Sequence, residues 1–254
     1  MADLGRSRKD LPRRATRLGL LLGVVAAAPA GCQEVGSGAV MTSSMYADLS
    51  VLGMGDGTSR VRAALRIGSM QSATFVELQP GDTLTAVSGA KTQKLERTAD
   101  PLGGFYYAGA FTGDLPGTPF TIAFTRQSDV SAPSSQTVLP PQVTHLMPLA
   151  GTGVSRSRNF QLSWDVIAGA TGDLVDISLS GTCIFGLSLI GQPDTGQAVI
   201  SANQIKADPA DPTATCDVQI VVARKRKGTV DPAFGAGGAF YGIQQSMTTV
   251  SCSR

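Results

Sequence analysis

Apolar and polar side chains alternate along most of this chain. Val61, Ala63, Leu65 and Ile67 fall on one face of an extended segment, and Arg62, Ala64 and Arg66 fall on the other. A period of two marks a strand with one wet face. Strand-like runs recur at 73–78, 83–87, 104–111 and 120–126, then at 160–164, 174–179, 184–190, 197–201, 217–223 and 239–250. The turns between them are built from Gly, Pro and Asp, as in Gln79-Pro80-Gly81-Asp82 and in residues 113–119. Residues 201–207 have room for one helical turn, and no stretch keeps a helical period for three turns. The pattern predicts an all-β protein.

Six or seven short strands per hundred residues is the density of a β-sandwich. The pattern is interrupted at 128–142, a stretch rich in Ser, Pro and Gln that ends in Pro140-Pro141. Proline removes backbone donors and favours extended connections, so a linker is predicted there. The expected plan is a leader at 1–31, Cys32 with a short tether to residue 38, a sandwich at 39–130, a linker at 131–142, and a second sandwich at 143–254. Phe160, Leu162 and Trp164 share one face of their strand, with Gln161 and Ser163 opposite. Trp164 is therefore expected in the second core.

The first 31 residues follow different rules. Six basic residues (Arg6, Arg8, Lys9, Arg13, Arg14, Arg17) stand against Asp3 and Asp10, and an apolar run at 18–30 ends at Ala30-Gly31-Cys32. Thirteen residues are too few to span a bilayer as a helix, which takes about 20, but suit the apolar part of an export signal. This boundary resembles a bacterial lipoprotein signal, with Pro29 where Leu is usual. The resemblance implies cleavage before Cys32 and acylation of its thiol, with palmitate as the chain type. Gln33, rather than Asp, next to the anchor implies sorting to the outer membrane. The same residues also fit an ordinary secretory signal cut after Ala28-Pro29-Ala30, which would leave a secreted or periplasmic protein.

Removing the leader reverses the charge. The full chain is +2, but residues 32–254 hold fifteen basic and seventeen acidic side chains. Nucleic acid is thus not an expected partner. No cofactor or metal is expected either. With one histidine and no paired cysteine spacing, a zinc site has no ligand set. Asp56-Gly57 lacks the spaced oxygen ligands of a calcium loop.

Few residues carry candidate chemistry. Asp194-Thr195-Gly196 matches the tripeptide of aspartic proteases, but those enzymes need two carboxylates to share a proton and this chain has one copy. A turn leading into the strand at 198–200 is the simpler reading. His145 is the sole histidine, lies beside the linker, and has no Gly-x-Ser-x-Gly partner motif. Arg224, Lys225, Arg226 and Lys227 form the one charge run of the mature part, read as the wet end of a strand. With Cys32 acylated, Cys183, Cys216 and Cys252 remain. Position favours a Cys183–Cys216 bridge, whose closed loop would stabilise by about 3 to 4 kcal/mol. Cys252, near a terminus prone to fraying, is left over.

Phe160–Trp164 followed by Asp165 is similar to the second strand of fibronectin type III and related immunoglobulin-like domains. Trp164 precedes both cysteines, however, so the antibody-type arrangement is absent. Arg224–Gly228 with Asp231–Gly235 resembles the tail of uncharacterised two-domain lipoproteins of Gram-negative bacteria, a likeness that implies no activity. The expected function is non-enzymatic: an envelope lipoprotein held to the membrane by its lipid, its sandwiches binding or scaffolding a protein or polysaccharide. Two alternatives stand beside it. A glycan-binding or adhesive module would use Phe105, Tyr106 and Tyr107, of which alternation buries one or two. A hydrolase would need His145 or Asp194 in a pocket.

Overall fold

The computed structural model describes residues 33–101, 103–166, 172–210 and 212–254. The leader and Cys32 lie outside the described residues. In the first half the strands are β1 (Gln33–Gly36), β2 (Met45–Gly53), β3 (Thr58–Ile67), β4 (Thr74–Glu77) and β5 (Thr83–Ser88). They are followed by β6 (Lys91–Lys94), β7 (Glu96–Ala99), β8 (Phe105–Thr112), β9 (Pro119–Thr125) and β10 (Ala132–Val138). The second half contributes β11 (Gly153–Ser155), β12 (Phe160–Ser163), β13 (Leu174–Gly181), β14 (Leu187–Pro193) and β15 (Gln197–Ile200). The chain closes with β16 (Cys216–Lys227) and β17 (Gly238–Ser253). Two single 3-10 turns, Ser37–Ala39 and Thr42–Ser44, are the helical segments among the described residues.

One large sheet runs β1-β4-β3-β2-β17-β16-β13-β14, with β8 also on β3, β7 on β8 and β11 on β17. A four-stranded sheet, β10-β9-β5-β6, covers part of its inner face, and the β12–β15 pair covers another part. The fold is thus an all-β sandwich with two cores under one sheet. In the first core Leu49, Val51, Val61, Ala63 and Leu65 of the large sheet meet Leu84, Ile122 and Phe124 of the small one. In the second, Ile177, Ile220, Val222 and Val250 meet Leu162, Trp164 and Ile200. Trp164 is buried in that core, as its alternation with Leu162 predicts.

The two cores are joined more closely than a linker would join them. β17 is 16 residues long, about 50 Å of extended chain. Its first part pairs in parallel with β2, from Gly238↔Ala47 to Gln244↔Gly53, and Phe240 sits in the first core with Phe234. Its last part pairs with β16 through Cys216↔Cys252 in the second. Residues 230–244 therefore serve the first sandwich, although the sequence assigns 143–254 to the second.

Two other expectations change. Residues 131–142 are not a free linker, because 132–138 form β10 on β9. Its inward positions are Ala132, Ser135 and Thr137, and the polarity of the last two hides the strand from a hydrophobic pattern. Ser135 Oγ accepts the Asp231 N–H, and Asp231 in turn accepts from the Ser134 N–H and hydroxyl. Gly228 and Gly242 allow close approach to β10: a Cβ at either would lie 2.1 Å from a carbonyl oxygen, of Gln136 and Val138 respectively. Residues 33–38 are likewise no tether, since β1 pairs in parallel with β4 and Ser37 is fully buried.

Candidate functional site

The outer face of the large sheet carries an open groove of about 520 Å3. It crosses β2, β3, β8 and β17, with Leu52, Ala108 and Ile243 as its apolar floor and Arg60, Arg62 and Tyr106 around it. Alternation decides which aromatics reach this face. Phe105 and Tyr107 point inward and are buried, whereas Tyr106 points outward. The Tyr107 hydroxyl accepts the Leu78 N–H at 2.8 Å, and burial pushes its pKa up. Arg62 lies 4.3 Å from the centre of the Tyr106 ring and pairs with Asp100 at 2.7 Å. One face of the half-buried ring is therefore already covered by a guanidinium. Leu52 and Ile243 are cross-strand partners far apart in sequence, so no local motif could have shown them as neighbours.

The charge run is not a wet strand end. Arg224 is 0% exposed. Its Nε donates to Asp194 Oδ2 at 2.5 Å, and its Nη atoms donate to the carbonyls of Pro141 (3.2 Å), Gln142 (2.8 Å) and Asp165 (2.7 Å). The Trp164 indole N–H donates to the other oxygen of Asp194 at 2.7 Å. Lys225 pairs with Asp176 at 2.6 Å. Arg226 grips Asp173 through two bonds of 2.8 Å, which raises its pKa. The run is therefore an interior clamp with flanking ion pairs. Alternation on β16 turns Arg224 inward, and the approach of residues 141–142 and 165 supplies its acceptors. Asp194 faces this arginine and the indole rather than a second carboxylate, so its environment differs from the proton-sharing pair of an aspartic protease.

His145 is far out in solvent, its side chain 83% exposed. Its Nδ1 lies 2.5 Å from Asp165 Oδ2, which also accepts from the Thr144 hydroxyl, and these bonds hold the Asp165 carboxyl below its usual range. This is the histidine–carboxylate half of a hydrolytic triad, but the described hydrogen bonds bring no nucleophile to the ring. Among the described residues no group of three His, Cys, Asp or Glu side chains is placed to hold a metal ion.

Cys183 and Cys216 form a disulfide. Cys252 is free and completely buried within β17, not frayed, and burial raises the pKa of its thiol. Cys32, the candidate lipid-bearing residue, lies outside the described residues.

No family model and no curated protein matches the chain. Among solved structures it is similar to the FN1–FN3 domains of chicken CNTN1, with 8% identity, 88% of this chain and 69% of that one covered, and a TM-score of 0.29. It is also similar to the tandem Ig repeats of Dlar, with 13% identity, 82% and 96% covered, and a TM-score of 0.29. A third likeness is to the Yersinia pseudotuberculosis adhesin InvE, with 12% identity, 83% and 59% covered, and a TM-score of 0.22. At these scores the likenesses add nothing to the fold built from the strands above.

Proposed function

We propose that the mature chain is a non-enzymatic lipoprotein of the bacterial envelope, anchored through acylated Cys32 in the outer membrane and using its sandwich to bind or scaffold another envelope component. The observation that carries this reading is the junction at residues 30–33. A basic and apolar leader ends in Ala-Gly-Cys, and strand β1 begins at Gln33, the next residue. The outer-face groove is the binding surface this reading favours. Its floor is aliphatic, its edge carries Arg60 and Arg62, and Arg62 covers the Tyr106 ring. That cover favours a protein partner over a sugar, since a sugar ring would need the aromatic face that the guanidinium occupies.

Cys32→Ser tests the anchor. Cells labelled with radioactive palmitate should incorporate it into the native protein and not into the variant, and the variant should leave the membrane fraction. Equal labelling or equal membrane retention would defeat the reading. Crosslinking from a photoreactive residue at position 60 should capture a protein in intact cells, and capture of polysaccharide instead would favour the glycan alternative.

A further inference from the structure

The end of the first sandwich where the described chain begins is unusual in what it shows to solvent. Four segments meet there: 37–44, 68–73, 126–131 and 232–237. The Gly68 N–H donates to the Ser44 carbonyl at 2.9 Å, and the Thr42 hydroxyl donates to the Val130 carbonyl at 2.6 Å. The Ala47 N–H donates to the Gly237 carbonyl at 3.1 Å. From the tips of three segments project Met41 (63% exposed), Met70 (54%) and Val130 (65%). The four segments hold just two ionisable side chains, Arg126 and Asp129, and these pair with each other at 3.2 Å.

The chain enters this end without slack. The Gln33 N–H already donates to the Ala73 carbonyl at 3.0 Å, and β1 is paired with β4 from its first residue. Buried Arg126 then fixes the following turn. Its guanidinium donates to the carbonyls of Ser37 (2.5 Å) and Val40 (2.9 Å) and to the Thr42 hydroxyl (3.0 Å). One residue of extended chain reaches at most about 3.6 Å. An acyl group on Cys32 must therefore leave the protein beside Gln33, against these segments.

We propose that this end is a bilayer-resting surface, with Met41, Met70 and Val130 entering the headgroup layer around the anchor. The inference rests on the lipoprotein reading above and adds an orientation to it. Exposed apolar tips, in segments whose two charges pair with each other and beside a paired Glu34–Arg97, suit the boundary between headgroups and acyl chains, where interfacial side chains sink about 5–10 Å. β17 starts at this end, so its 16 residues carry the second core away from the membrane.

The test uses the full mature chain in vesicles of phosphatidylethanolamine and phosphatidylglycerol that contain a headgroup-nitroxide lipid. Single cysteines at Met70→Cys, Val130→Cys and Leu115→Cys each take a fluorophore, while native Cys252 is buried and stays unlabelled. Leu115 is equally exposed, at 69%, but sits at the far end of β9, about 20 Å away. Labels at 70 and 130 should be quenched several-fold more than the label at 115. Equal quenching at all three positions, with Cys32 acylated by mass, would overturn the orientation and leave the anchor standing. An unacylated Cys32 in the same preparation would remove both.

Discussion

Replacing Arg224 by Met probes the interior clamp most sharply. The native guanidinium is wholly buried and bonds to one carboxylate and three carbonyl oxygens. Methionine keeps most of the aliphatic volume, so the cavity left behind is small and the polar loss dominates. Asp194, 3% exposed, would keep the Trp164 indole but lose its countercharge. The Pro141, Gln142 and Asp165 carbonyls would each lose a donor, at about 1–3 kcal/mol for a buried group with no replacement. These costs overlap, because residues 141–142 can relax outward to water. Breaking a buried pair from one side costs about 3–5 kcal/mol, and we expect that range here. For a chain of this size each kcal/mol moves Tm by roughly 2–4 °C, so the melting point should fall by about 10 °C. Urea unfolding followed by Trp164 fluorescence gives the free energy directly. The double variant Arg224→Met with Asp194→Asn should lose clearly less than the two single losses added together. A loss under about 1 kcal/mol for Arg224→Met, the value of a surface pair, would refute the burial argument.

Further outcomes follow from the same packing. Trp164→Ala should cost about 3–5 kcal/mol, and the native protein should show blue-shifted emission; emission typical of a fully hydrated indole would contradict its place in the core. Replacing both Cys183 and Cys216 by Ala should cost about 2–5 kcal/mol in urea, and an unchanged midpoint would show the bridge to be idle. Because β17 runs through both cores, circular dichroism and Trp164 fluorescence should unfold together, whereas two separated transitions would mean independent halves. The Asp129 carboxyl is held below its usual range by the Thr42 N–H, then by the Val130 N–H, the Thr42 hydroxyl and Arg126. A lowered folded pKa gives stability that is present above the unfolded value near 4 and lost as pH falls below it. Acid should therefore loosen the 126–131 turn, and Asp129→Asn should remove that pH dependence in an amide NMR titration.

The sequence carried much of the strand pattern and little of what joins the strands. Val61, Ala63 and Leu65 alternate with arginines, and that stretch is β3 with its inner face in the first core. The runs at 83–87, 174–179 and 239–250 likewise fall on β5, β13 and β17. β10 escaped because polar Ser135 and Thr137 occupy inward positions, where Ser135 accepts the Asp231 N–H instead of packing an apolar group. β6 and β7 escaped because Lys91–Lys94 and Glu96–Ala99 are almost wholly exposed and carry no core face. Arg224 looked solvated because four consecutive charges suggest a surface, and only its acceptors, which come from segments 30 to 83 residues away, make burial affordable. The groove was invisible for a related reason: Leu52 and Ile243 become neighbours through the parallel pairing of β17 with β2, which no local pattern encodes.

The central claim is the proposed lipid anchor at Cys32, the residue before β1. Intact-mass and N-terminal peptide analysis of the protein extracted from membranes tests it most directly. The account predicts a mature chain that starts at Cys32 and carries the added mass of acyl groups on that residue. A chain that starts at Gly31 with an unmodified Cys32, or a Cys32 found in a disulfide, would contradict it.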